Sequence, residues 1–97
     1  MPTTFYALTY DAVDGFREKR TPFREGHLAL VREAHARGEL LMAGAVGDPI
    51  EQALLVFRAD SPDVAERFAR ADPYVTQGLG LNWKVRPWHV VVGGDAP

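Results

Sequence analysis

A chain of 97 residues, 46% hydrophobic and 25% charged with a net charge of −2, has the makeup of one globular domain. It has no basic excess for nucleic acid or an anionic membrane, and without cysteine it has no disulfide, thiol nucleophile or thiolate metal site. The opening MPTTFYALTYD lacks a basic region ahead of an apolar run, and no apolar stretch approaches membrane-spanning length, so a soluble, unexported, cytoplasmic protein is expected.

Thr4 to Tyr10, rich in aromatic and β-favouring residues, predicts a first strand ending at Asp11. Asp11 to Arg20 is polar and reads as a connection with one loose turn around Phe16, its Arg and Lys side chains simply solvated. A helix follows, with Thr21 as cap, Pro22 at its first position and Gly38 as its stop. At about 100° per residue, Phe23, His27, Leu30, Val31 and Ala34 share one arc, which places a titratable ring in the middle of an apolar stripe.

Glu39–Val46 and Gln52–Arg58 predict a hairpin joined through Gly47-Asp48-Pro49-Ile50. Strict alternation puts Leu40, Met42 and Val46 on one side of its first arm and Leu41, Ala43 and Ala45 on the other. Ser61 to about Ala71 is a second helix, capped by Ser61, with Val64, Ala65, Phe68 and Ala71 on one face. Pro73 forces a break at Asp72, which then caps a restarted helical turn. The last strand, Leu81 to Val92, contains Pro87, which belongs at a sheet edge or bulge. Trp83 and Trp88 fall on opposite faces of that strand if it is regular, one for the core and the other for a cleft or interface.

This order, βαββαβ, is the split βαβ arrangement: an α+β fold with a four-stranded antiparallel sheet, strand order 4-1-3-2, and both helices on one face. The first three strands are apolar on both sides, so the uncovered face predicts sheet-to-sheet association into a homodimer.

His27 has two readings. It is either a core histidine satisfied by a backbone carbonyl or a general acid or base tuned by a carboxylate. Asp72 is the carboxylate within reach, continuing the arc of Phe68 and Ala71, although an Asp-Pro helix cap is an equally ordinary role. Arg24, one turn before His27, is a candidate for an anionic substrate or a merely exposed arginine. Tyr74 is divided between packing and a phenolic donor. His35 and His89 read as surface and strand histidines. No metal spacing, phosphate loop or nucleophile elbow occurs, and Gly78-x-Gly80 is too weak a signal to use, which leaves cofactor-free chemistry.

The ordered elements Arg24-x-x-His27-Leu28, Leu40-Leu41-Met42-Ala43-Gly44, Ala71-Asp72-Pro73-Tyr74 with Gly78-Leu79, and Val85-Arg86-Pro87-Trp88 resemble the YCII-like (YciI-related) family over nearly the whole chain. That resemblance implies one YCII-like domain over residues 1–97, a ferredoxin-like fold, and the sheet-to-sheet pairing of the dimeric α/β-barrel group. It also implies an active site containing a histidine and an aspartate, which carry over onto His27 and Asp72. Many members have proline where this chain has Ala45, a difference in the cleft wall. Some relatives dehydrohalogenate chlorinated hydroxylated aromatics, and others have no assigned role.

The expectation is therefore a small cofactor-independent enzyme of lyase or isomerase type. His27 moves a proton on a small cyclic or aromatic substrate, Asp72 orients the imidazole, and Arg24, Tyr74 and Trp88 bind the substrate. The alternative is a non-catalytic small-molecule-binding or dimeric accessory module in which the pair is structural.

Overall fold

The computed structural model describes residues 4–93. Strands β1 (Thr4–Ala12), β2 (Leu40–Val46), β3 (Gln52–Ala59) and β4 (Gly80–Trp88) form one sheet in the order β2-β3-β1-β4, every neighbouring pair antiparallel. The helices α1 (Phe16–Lys19), α2 (Arg24–Ala36), α3 (Asp63–Ala71) and α4 (Pro73–Thr76) complete the α+β architecture expected from the sequence. β4 is an edge strand, and its Pro87 lies opposite Tyr6, so the missing N–H of proline is accommodated at the border of the sheet.

Tyr6, Leu8 and Tyr10 alternate along β1 toward the helices and join Leu55, Phe57 and Phe68 in the core. The rings of Phe57 and Phe68 meet edge to face at 5.4 Å, tying α3 to the sheet. Full burial of side chains such as Leu8 and Phe57 contributes roughly 1.5–3 kcal/mol each.

Three local expectations change. Thr21 does not cap α2: Thr21–Phe23 is a 3₁₀ turn, and no side chain caps the helix start. The chain enters α2 from α1 with its amides already occupied, Arg20 N–H on the Phe16 carbonyl and Phe23 N–H on the Arg20 carbonyl, so a cap has little left to satisfy. The loose turn around Phe16 is thus a genuine helical entry, and Phe16 is buried. At the other end Gly38 stops α2 as expected. It sits at φ +81°, its N–H reaches the His35 carbonyl and Glu39 N–H reaches that of Ala34.

The second change is in β2. Leu40 pairs with Phe57 but Met42 with Val56, so Leu41 is an extra residue, a β-bulge. After the bulge Ala43 and Ala45 pair with Leu55 and Ala53 on the helix-covered face, which also holds Leu40. Leu40 and Met42 therefore do not share a side. The third change is in β4. Thr9 pairs with Lys84 and Asp11 with Leu81, which inserts one residue into β4 where Asn82 adopts φ +51°. Trp83 packs against the core, whereas Trp88, opposite Phe5, lies on the face away from the helices. The two tryptophans do fall on opposite faces.

On the uncovered face Met42, Val46, Leu81 and Trp88 are exposed, Met42 to 69%. Among the described residues no helix is long and apolar enough to cross a membrane.

Candidate functional site

The site is built on the break after α3. Pro73 bars helical geometry at the preceding residue, and Asp72 is extended (φ −69°, ψ 122°). Its side chain turns back, and Oδ1 accepts the Tyr74 N–H at 2.9 Å, capping α4 as the sequence suggested. The same carboxylate is fully buried beneath α2, the one charged side chain so placed among the described residues. A buried carboxylate is tolerated only when its oxygens are matched by donors.

Those donors are present. The Tyr10 hydroxyl donates to Asp72 Oδ2 at 2.8 Å, and His27 Nδ1 lies 3.0 Å from Oδ1 and 2.9 Å from Oδ2. Because the carboxylate is acceptor-only, Nδ1 carries the proton, which makes Nε2 the lone-pair nitrogen of the neutral ring. Nε2 has no hydrogen-bond partner among the described residues. The His27 ring stacks on Tyr74 at 3.9 Å with planes 12° apart, and Phe16 meets Tyr74 edge-on at 5.2 Å. One nitrogen of the imidazole is thus fixed from below and its plane is held from the side.

Burial, then the charge of Asp72, then the hydrogen bond to it keep the Tyr10 phenol protonated far above its ordinary range. Burial also raises Tyr74, against the opposing charges of Arg20 and Arg24. Both phenols therefore remain neutral donors at any physiological pH.

Above the imidazole opens a cleft of about 360 Å³, lined by Arg24, His27, Leu28 and Val31 from the helical side, Ala43, Ala45, Ala53 and Leu55 from the sheet, and Phe16 and Tyr74. Small residues on β2 and β3 leave the room. The volume suits a compact organic molecule, toward the low end of the roughly 300–1,000 Å³ of ligand pockets. His27 keeps 12% of its side chain accessible, so it is neither sealed in the core nor loose on the surface.

Of the sequence candidates, the structure brings together His27, Asp72, Arg24 and Tyr74. It does not bring Trp88, which is 45% exposed on the far face of β4, because alternation along the strand turns it away from the helices. His35 is bonded to the Leu40 carbonyl at 2.9 Å and takes no part. Two contributions escape the sequence reading. Tyr10 reads there as one more aromatic on a strand, with nothing to link its hydroxyl to a carboxylate 62 residues away. Arg17 and Arg20, expected to be merely solvated, line the cleft. The sequence offers no spacing that announces them, because three short elements, α1, a 3₁₀ turn and the start of α2, bring them to the cleft.

Gly80 also acquires a role. A Cβ there would lie 2.8 Å from the Tyr10 ring, so the glycine is the space in which that ring sits. Among the described residues no three His, Asp or Glu side chains gather as metal ligands would.

A four-stranded antiparallel sheet with helices makes this a small α+β protein. Residues 4–89 match the YCII-related domain, and the chain belongs to the YCII-related family. It is 32% identical over 83 residues to Protein YciI of Escherichia coli O6:H1, and equally to that of Shigella flexneri, covering 76% of this chain and 85% of each relative. Among solved structures it resembles 5-chloro-2-hydroxyhydroquinone dehydrochlorinase (TftG) from Burkholderia phenoliruptrix AC1100, in complex with 2,5-dihydroxybenzoquinone. The TM-score is 0.70 at 21% identity, covering 87% of this chain and 92% of the other. A NIPSNAP family protein from Agrobacterium tumefaciens matches at TM-score 0.59 and 18% identity, over 98% of this chain and 97% of that one. At such identities these two likenesses establish the fold.

Proposed function

We propose that the chain is a small enzyme of lyase or isomerase type, working without a cofactor, in which His27 transfers a proton on a small cyclic or aromatic substrate held in the cleft. The observation that carries this reading is the two-sided environment of the imidazole. Nδ1 is tied to a buried carboxylate, while Nε2, without a protein partner among the described residues, belongs to a ring that lines an open cavity. A purely structural histidine gains nothing from an unpaired nitrogen at a cleft.

In the forward step the Nε2 lone pair takes a proton from a carbon or hydroxyl of the substrate, and Asp72 stabilises the imidazolium that forms. The electron pair left behind either expels a leaving group as its anion, an elimination, or relocates so that the proton returns at another atom, an isomerisation. In an elimination the imidazolium then releases its proton to solvent, in an isomerisation it returns it to the substrate, and in both the neutral ring is restored. Arg24 and Tyr74 flank the substrate. The fold likeness to a dehydrochlorinase supports elimination as the first reaction to try. Sheet-to-sheet homodimerisation through the face bearing Met42, Val46, Leu81 and Trp88 belongs to the same proposal, supported by that apolar exposure.

The test is turnover of chlorinated and unchlorinated hydroquinones, read as halide release and ring absorbance, by the intact chain and by His27→Asn. The enzyme reading expects turnover that His27→Asn abolishes while the folded chain persists. Binding by the intact chain without turnover of any substrate would favour the accessory module. The bond from His27 completes the cap and burial of Asp72, and that architectural role gives the second reading its footing. Sedimentation from micromolar to millimolar concentration decides the dimer, which a monomer throughout would refute.

A further inference from the structure

The cleft has a charge that its chemistry so far leaves unexplained. Arg17, Arg20 and Arg24 all line it, whereas no aspartate or glutamate does. The acid beneath, Asp72, is already shared among Tyr10, His27 and the Tyr74 amide. None of the three guanidiniums has an ion-pair or hydrogen-bond partner among the described residues, and Arg20 only lies over the Phe16 ring at 5.7 Å. Three arginines thus line one small cavity in a chain of net charge −2, and they make it a positive site that an organic anion would complement.

We infer that the cleft selects a ring-sized organic oxyanion, a carboxylate or an ionised phenol or enol, with Arg17, Arg20 and Arg24 holding its charged edge and the rest of the ring directed at His27. The inference deepens the proposed function and rests on the cleft being a substrate site. Arg17 lies in α1, Arg20 at its C-terminal end, and Arg24 opens α2 one turn before His27, and all four residues line the same cleft. Guanidinium forks suit the planar, delocalised charge of carboxylates and phenolates. Walls of Phe16, Tyr74 and small aliphatic residues suit a flat ring. The same arginines would stabilise negative charge left on the substrate when Nε2 removes a proton.

Benzoate and benzamide have nearly the same shape and differ in charge, so they test the inference by calorimetric titration of the intact chain. Benzoate should bind at least about tenfold more tightly than benzamide, an advantage that shrinks as salt is raised. Arg20→Gln and Arg24→Gln should each weaken benzoate by about tenfold and leave benzamide unchanged. Because these side chains hold no ion-pair or hydrogen-bond partner among the described residues, the variants should keep the amide fingerprint of the folded protein. Equal affinity for the two probes, no benzoate binding up to about 10 mM, or unchanged affinity in the triple Arg→Gln variant would each overturn the inference. So would inorganic phosphate binding more tightly than benzoate. His27→Asn separates this from the catalytic proposal, because it should retain benzoate binding. Selective anion binding without any turnover would defeat the enzyme reading alone, and turnover without anion selectivity would defeat the inference alone.

Discussion

The floor and the rim of the cleft use polar side chains in opposite ways. At the floor the Asp72 carboxylate is entirely buried and meets Tyr10, His27 and the Tyr74 amide, while at the rim three guanidiniums stand with no ion-pair partner among the described residues. A buried polar group must be matched within the chain, because water is not there to replace a missing partner. A charge at the mouth has water instead, and it can exchange that water for a ligand. Folding stability should therefore be concentrated at the floor and ligand selectivity at the rim. His27 joins the two, with Nδ1 bonded to Asp72 at the floor and its ring lining the cleft.

The largest break in this contrast is Asp72→Ala. It leaves the Tyr10 hydroxyl, the Tyr74 amide and the His27 Nδ1–H without their acceptor and uncaps α4. A loss of about 3 kcal/mol or more in urea unfolding is expected. Asp72→Asn should recover part of this, since its remaining oxygen can still accept from the Tyr74 N–H and His27 while its amide nitrogen faces the Tyr10 hydroxyl, which can accept from it. A cost below about 1 kcal/mol for Asp72→Ala would mean that water reaches the floor and that floor and rim are not distinct.

Next in size is Gly80→Ala. The new methyl would meet the Tyr10 ring at 2.8 Å, and that ring is buried, so either the ring or β4 must shift. Overpacking of this kind costs about 1–3 kcal/mol, and it should also lengthen the Tyr10 to Asp72 bond. A shift of the His27 ring resonances by nuclear magnetic resonance would register the disturbance at the floor. Unchanged resonances together with unchanged stability would show that β4 yields freely.

How much of this was legible follows from the range of each signal. His27 stood out because a helical stripe is a local pattern, and Asp72 because Pro73 dictates the geometry of its neighbour. Strand order and the edge position of Pro87 also followed from local patterns and connection rules. Tyr10 could be read as buried from the alternation of Tyr6, Leu8 and Tyr10, yet its partner lies across the fold and no local pattern encodes that. The bulge at Leu41 carries no glycine or proline to announce it, so a strict two-residue period misplaced one side of β2. Arg17 and Arg20 were hidden by composition, since a polar run with one glycine reads as a loop until Phe16 is found buried.

Tyr10→Phe removes a single donor from the floor and should cost about 1–2 kcal/mol at neutral pH, because Asp72 keeps its other two donors. The substitution also has a pH signature. The folded chain retains the Tyr10 proton above its ordinary value of 10.0, where the unfolded chain releases it. The unfolded state then binds fewer protons, so stability declines as pH rises above about 10. In Tyr10→Phe that alkaline decline should be shallower. It should not vanish, since Tyr74 is raised as well. Thermal melts from pH 8 to 11 compare the slopes, and parallel slopes would mean that Tyr10 ionises as freely in the folded chain as in the unfolded one.

The smallest effect on stability belongs to the rim, and there the sign matters more than the size. Arg20→Gln takes away a half-buried guanidinium that holds no ion pair, and its approach to the Phe16 ring is its one stabilising side-chain interaction among the described residues. That cation–π interaction is worth about 0.5–1 kcal/mol at an accessible site. Relief of repulsion from Arg17 and Arg24 opposes it by a similar amount at low salt. The net change should lie within about 0.5 kcal/mol. It should also move toward destabilisation as salt rises, because screening removes the repulsion and leaves the missing cation–π attraction uncompensated. Urea unfolding of the intact chain and of Arg20→Gln at low and high salt measures both size and direction. A loss as large as that of Tyr10→Phe, independent of salt, would place Arg20 with the floor, as a structural cation, and would remove the reason for reserving the rim for a ligand.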